Sequence, residues 1–271
     1  MHRLFGILAT SLWLVAMSEL VIHEVWPRWT AQDPPKVVDR ARNERSRRTQ
    51  SAIYDPHQRL VGRAWSRLQP TGDQFHLETT IVLTELASLP PIRIETAFTL
   101  TGNGTVDDFD LDLIGVQGPD GKPVKIEMRG ESYGRYIPCT LQVGVFRRTF
   151  KLESAASRIM GDAIRPFDVL RDLKVGQSWR MQVLDPISAV FNQRATVNSV
   201  VARVERKETI THDGRPVECF LVVAGRARAW VAPDGRALVQ EADVPGIGRL
   251  TIRDEPYDED QWHEARSRVV E

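Results

Sequence analysis

The chain has 271 residues, 42% hydrophobic and 27% charged, with 36 basic and 36 acidic side chains and a formal net charge of zero. That length supports a sizeable core, and the charge balance excludes the basic footprint of a nucleic-acid binder. Two cysteines, Cys139 and Cys219, cannot form a zinc site by themselves and lack C-x-x-C spacing, which leaves one bridge or two buried thiols as alternatives.

Residues 4–25 form the only long, nearly uncharged apolar run, preceded by Arg3 and followed by Trp26 and Pro27. A signal-peptide core needs about 7 to 15 such residues and a membrane span roughly 20, so residues 1–27 read as a signal-anchor or signal peptide. Ala16 and Ser18 offer the small residues a signal peptidase inspects. Leu20, Val21, Ile22 and Val25 prolong the helix to about 30 Å, enough to span, and retention as a transmembrane anchor is the reading adopted. Arg28, Lys36, Arg40, Arg42, Arg45, Arg47 and Arg48 follow the run, which by the positive-inside rule favours a cytoplasmic domain. An extreme N-terminal hydrophobic segment is nevertheless the usual export signal, so the expected location is membrane-anchored with a periplasmic or other extracytoplasmic domain. The first cysteine is Cys139, which leaves no lipobox.

Residues 28–58 are rich in Arg, Asn, Gln and Ser without strand periodicity and read as a polar basic linker. Beyond them the period becomes two. Phe75, Leu77, Thr79, Ile81 and Leu83 share one face against His76, Glu78 and Thr80, and Ile92, Ile94, Thr96, Phe98 and Leu100 repeat the pattern. Gly102-Asn103-Gly104 is a turn signal, after which Phe109, Leu111 and Leu113 alternate with Asp108, Asp110 and Asp112. Alternate carboxylates on a strand stand nearly 7 Å apart, too wide for one calcium ion, so the acid row reads as a solvated face. Val124, Ile126 and Met128 continue the apolar face, with Lys125, Glu127 and Arg129 outward. Residues 141–152 predict one strand, and 154–173 the one stretch with helical turns, Pro166 suiting a first turn.

Trp179, Met181 and Val183 restart a strand, and 195–211 predicts a long one. The turns His212-Asp213-Gly214-Arg215 and Pro233-Asp234-Gly235 are strong hairpin signals joining the strands that follow. Residues 246–253 close a β-domain spanning 59–255, and 256–271 reads as a peripheral acidic tail. About ten antiparallel strands with one or two short helices predict a mainly β fold, a curved antiparallel sheet or partly open β-barrel preceded by an N-terminal transmembrane helix.

The segments Leu173-Lys174-Val175-Gly176-Gln177-Ser178-Trp179 and Arg228-Ala229-Trp230-Val231-Ala232-Pro233-Asp234-Gly235-Arg236 resemble those of exported bacterial β-domains related to the lipoprotein-carrier (LolA/LolB-like) half-barrels. The resemblance covers about 60–255. It implies a curved antiparallel sheet around an apolar cavity, binding acyl chains or hydrophobic peptide. An uncleaved anchor departs from the carriers, because it prevents shuttling between membranes.

Trp179 and Trp230 suit the aromatic walls of a ligand pocket, and Phe98, Phe109 and Met128 complete the candidate ligand-binding set. His2, His23, His57, His76, His212 and His263 show no H-x-x-x-H or H-E-x-x-H spacing. There is no G-x-S-x-G elbow, and Gly102-Asn103-Gly104 lacks the helix and Lys of a phosphate loop. The expectation is a membrane-tethered, non-enzymatic domain with no cofactor, metal or nucleic-acid partner, binding a hydrophobic ligand or an envelope protein. The alternatives are a structural or assembly subunit without a small ligand, and a hydrolase whose site is assembled from distant strands.

Overall fold

A computed structural model describes residues 47–84, 91–101, 106–117, 123–134, 136–153, 170, 172–184, 197–244 and 248–267. The expected anchor, most of the linker and the predicted helical turns at 154–169 lie outside the described residues. Among the described residues no helix is long and apolar enough to cross a membrane.

The first half of the chain supplies β1 (Arg47–Tyr54), β2 (Leu60–Thr71), β3 (Gln74–Leu83), β4 (Ile92–Thr101), β5 (Val106–Gln117), β6 (Pro123–Glu131), β7 (Tyr136–Val143) and β8 (Phe146–Glu153). The second supplies β9 (Ser178–Leu184), β10 (Val197–His212), β11 (Arg215–Ala224), β12 (Ala227–Val231), β13 (Ala237–Val244), β14 (Gly248–Glu255) and helix α1 (Glu259–Ser267). The fourteen strands form one antiparallel sheet, ordered β8-β7-β6-β5-β4-β3-β2-β1-β14-β13-β12-β11-β10-β9, which is not closed. From β1 at mid-sheet the chain walks outward hairpin by hairpin to one edge. It resumes at the opposite edge and walks back until β14 pairs with β1, setting Ile53 opposite Ile252.

Two boundaries differ from the sequence reading. The linker was expected to run to residue 58, yet Arg47–Tyr54 is a central strand, its middle residues buried between β2 and β14. Its sequence RRTQSAIY carries little apolar alternation because its burial is imposed by two flanking strands and a helix. The strand expected over 141–152 is instead a hairpin, β7 and β8, folded at Gly144-Val145. Gly144 takes φ +56°, which a type II′ turn requires of its first central residue and which glycine adopts without steric cost.

The acidic tail also departs from expectation. Helix α1 docks on the sheet, with Trp262 and Ala265 buried against Trp65. Gln50, 2% exposed, is the hub: its Oε1 accepts from Trp65 Nε1 and from the Asp258 amide, each at 2.9 Å, and its Nε2 donates to Gln261. Asp258 caps the helix by accepting the Gln261 amide at 3.0 Å. The Arg67 guanidinium lies 4.5 Å from the Trp262 ring centre and donates to Glu259.

Alternation along each strand gives the sheet two unlike faces. Over β5 and β6 the face that carries α1 is charged: Arg129 pairs with Asp110, and Lys125 with Asp112 and Glu127, so Asp110 and Asp112 of the acid row belong to an ion-paired surface. The opposite face is apolar and holds the three largest clusters.

Candidate ligand-binding face

Strand register builds the apolar face row by row. One row runs Leu68, Leu77, Phe98, Phe109, Gly130, Cys139 across β2 to β7. The Phe98 and Phe109 rings stack with centroids 5.9 Å apart. Gly130 provides the floor beneath Phe109, since a Cβ there would stand 2.5 Å from the ring. A second row joins both halves of the sheet through Val204, Val222, Ala229, Gln240, Ile252, Ile53, Gly62 and Leu83. Side chains along these rows bury apolar area at roughly 25 cal/mol per Å², the term that holds the sheet together.

Near its middle, polar groups interrupt this wall. Thr49, Ser66, Thr79 and Thr96 are successive register partners across β1 to β4, and Ser66 Oγ lies 3.0 Å from Thr79 Oγ1. Ser51 stands opposite Asp254, whose carboxylate is 3.8 Å from Arg236. Ser51 is 1% and Gln240 3% exposed. Ser51 Oγ, Thr96 Oγ1 and Gln240 Oε1 are buried without a hydrogen-bond partner, as is Trp179 Nε1 farther along the same face. Each such group costs roughly 1–3 kcal/mol while unpaired, so a polar seam bordered by apolar clusters is suited to a molecule with both characters.

No protein-family model, curated protein or solved structure matches this chain.

Four of the five candidate residues fall on the apolar face, in two groups. Phe98, Phe109 and Met128 belong to the cluster spanning β3 to β8, and Trp179, fully buried, belongs to the cluster of β9 to β13 with Leu170 and Leu173. Trp230 is on the other face. Its ring packs with Cys219, Ala232 and Leu238, its Nε1 donates to Glu208, and the Arg228 guanidinium lies 5.3 Å from its centre. That donated hydrogen bond, opposed by burial and aided by Arg206, holds the Glu208 carboxyl below the usual range. The seam residues were not singled out from the sequence. Their signal was present: Thr79 and Thr96 occupy the apolar parity of strands otherwise filled by Ile, Leu and Phe.

The cysteine alternatives are resolved. Neither cysteine is in a disulfide and both are buried, Cys139 on the apolar face and Cys219 on the other, so no bridge geometry exists between them. Burial, reinforced by the nearby Asp234, Glu208 and Glu218 carboxylates, pushes the Cys219 thiol up to about 11. An acid whose folded pKa is raised weakens folding as pH climbs through its unfolded value, near 8.5, toward that higher one. Unfolding free energy is expected to fall by on the order of 2 kcal/mol over that window, and Cys219→Ala to flatten the dependence in denaturant titrations. An unchanged slope in the variant rules this assignment out.

Among the described residues no three His, Cys, Asp or Glu side chains gather to hold a metal ion. His76 Nδ1 lies 3.2 Å from Thr99 Oγ1 and His212 is 3.6 Å from Asp213, but β3 and the end of β10 belong to opposite halves of the sheet.

Proposed function

We propose that this chain is a membrane-tethered, non-enzymatic β-domain outside the cytoplasm that holds a hydrophobic ligand, a lipid or acyl chain, on the apolar face of its sheet. The observation that carries this reading is the unpartnered seam of Ser51, Thr96 and Gln240 set into that face. Apolar walls supply affinity in proportion to buried area, and a few polar groups orient the ligand's head. The finer reading has the sheet curve about this face as a half-barrel of the lipoprotein-carrier kind, with the N-terminal segment fixing it at one membrane. Such a protein serves as a stationary acceptor rather than a shuttle.

Native mass spectrometry of the purified full-length protein tests both parts. The expected spectrum retains residues 1–18 and shows a co-purified lipid adduct. Thr96→Val, which removes one unpartnered hydroxyl at nearly constant volume, is expected to weaken the adduct while the protein keeps its strand content by circular dichroism. A lipid-free wild-type mass rejects the ligand reading and favours an assembly subunit. A mass lacking residues 1–18 rejects the tether.

A further inference from the structure

The β7–β8 hairpin ends in an apolar apex. Val145 is 94% and Phe146 78% exposed, side by side in the chain. Isolated surface hydrophobics are ordinary, but two adjacent ones at the tip of a tight turn have no packing role in the fold. Arg147 and Arg148 follow at once and are exposed. The acids nearest in register, Asp112 and Glu127, are both engaged by Lys125, whose carbonyl oxygen accepts from the Gly144 amide at the turn. The apex therefore presents apolar side chains backed by arginine, and the two carboxylates in the register row of Arg147 are engaged by Lys125.

We propose that the β7–β8 apex is a membrane-contacting tip, seating Val145 and Phe146 in the interface of an anionic bilayer with Arg147 and Arg148 at the level of the headgroups. Aromatic and aliphatic side chains gain by leaving water at that depth, and each nearby basic residue adds attraction to acidic lipid. The guanidinium groups also donate to phosphate oxygens in a bidentate fork. The assignment is independent of whether the sheet face holds a ligand.

The test uses the full-length chain reconstituted in phosphatidylcholine vesicles with or without phosphatidylglycerol, carrying an environment-sensitive fluorophore at Phe146→Cys. Tyr133→Cys, at the opposite end of β7 and 84% exposed in the wild type, is the reference. Native Cys139 and Cys219 are buried and do not compete for label. At 146 the label is expected to resist aqueous iodide several-fold better in anionic than in neutral vesicles, with no such gain at 133. Adding Arg147→Gln and Arg148→Gln is expected to lower the ratio of inserted to free tip about 30-fold, the equivalent of ~1 kcal/mol per basic residue. Equal quenching in both vesicle types, equal protection at 133, or protection that survives the double arginine variant overturns the proposal. Shielding of 146 only in membranes that retain envelope proteins assigns the tip to a protein partner and also overturns it.

Discussion

Phe109→Ala is expected to lower the unfolding free energy by about 3–5 kcal/mol, read as a fall in the urea midpoint without a change in slope. The ring is 2% exposed, stacks on Phe98 and fills the space above Gly130. Truncation removes its transfer energy and leaves a cavity that a bare glycine floor cannot fill. Domains of this kind are stable by only about 5–15 kcal/mol, so the loss is a large fraction of the whole. A companion variant separates packing from ligand effects. Phe109→Leu keeps most of the apolar volume, and its cost is expected to stay under about 1.5 kcal/mol. Equal losses for Ala and Leu contradict the cavity account.

Gly62→Ala is the second large effect. A Cβ at this position stands 2.3 Å from the Val82 carbonyl oxygen and 2.9 Å from Leu83 Cδ2. The oxygen belongs to the paired strand β3, where Gly62 faces Leu83 in register, so relief requires the two backbones to part. Overpacking costs typically 1–3 kcal/mol, and a backbone obstacle places this substitution near about 3 kcal/mol. Hydrogen exchange is expected to quicken in β2 and β3 before the outer strands, because the displaced ladder is theirs. A variant within about 0.5 kcal/mol of wild type, with unchanged exchange, shows that the strands approach less closely than described.

These two glycines illustrate how the site is built. Gly62 and Gly130 both lie on the apolar face, where neighbouring chains come close enough that a methyl group intrudes. On that face the hydroxyls of Ser66 and Thr79 satisfy each other, whereas Ser51, Thr96 and Gln240 do not find partners. The difference within one seam is what marks the unpartnered members as ligand-facing in the proposed function.

Much of the candidate site was legible in sequence as pattern and little of it as position. Phe98, Phe109 and Met128 fell on the apolar parity of their strands, and register brought them into one cluster. Trp179 shares their face but a different cluster, and Trp230 faces the other way. Local alternation assigns a side of one strand; it carries no information on which side of a distant strand is continuous with it.

By itself the sequence determined the antiparallel β class, the apolar parity of β3 to β6, and the Asp-Gly turns that join β10 to β11 and β12 to β13. Those are local properties, set by period-two burial and by residues that tolerate turn geometry. Only the tertiary structure decided that Arg47–Tyr54 is the central strand, that β14 closes on it across about 200 residues of chain, and that α1 anchors through Gln50. The physical reason is the same in each case. A polar segment such as RRTQSAIY becomes a buried strand because the second side of its backbone ladder is completed by β14 and its Gln50 side chain is engaged from α1, both remote in sequence, and no local period records a partner.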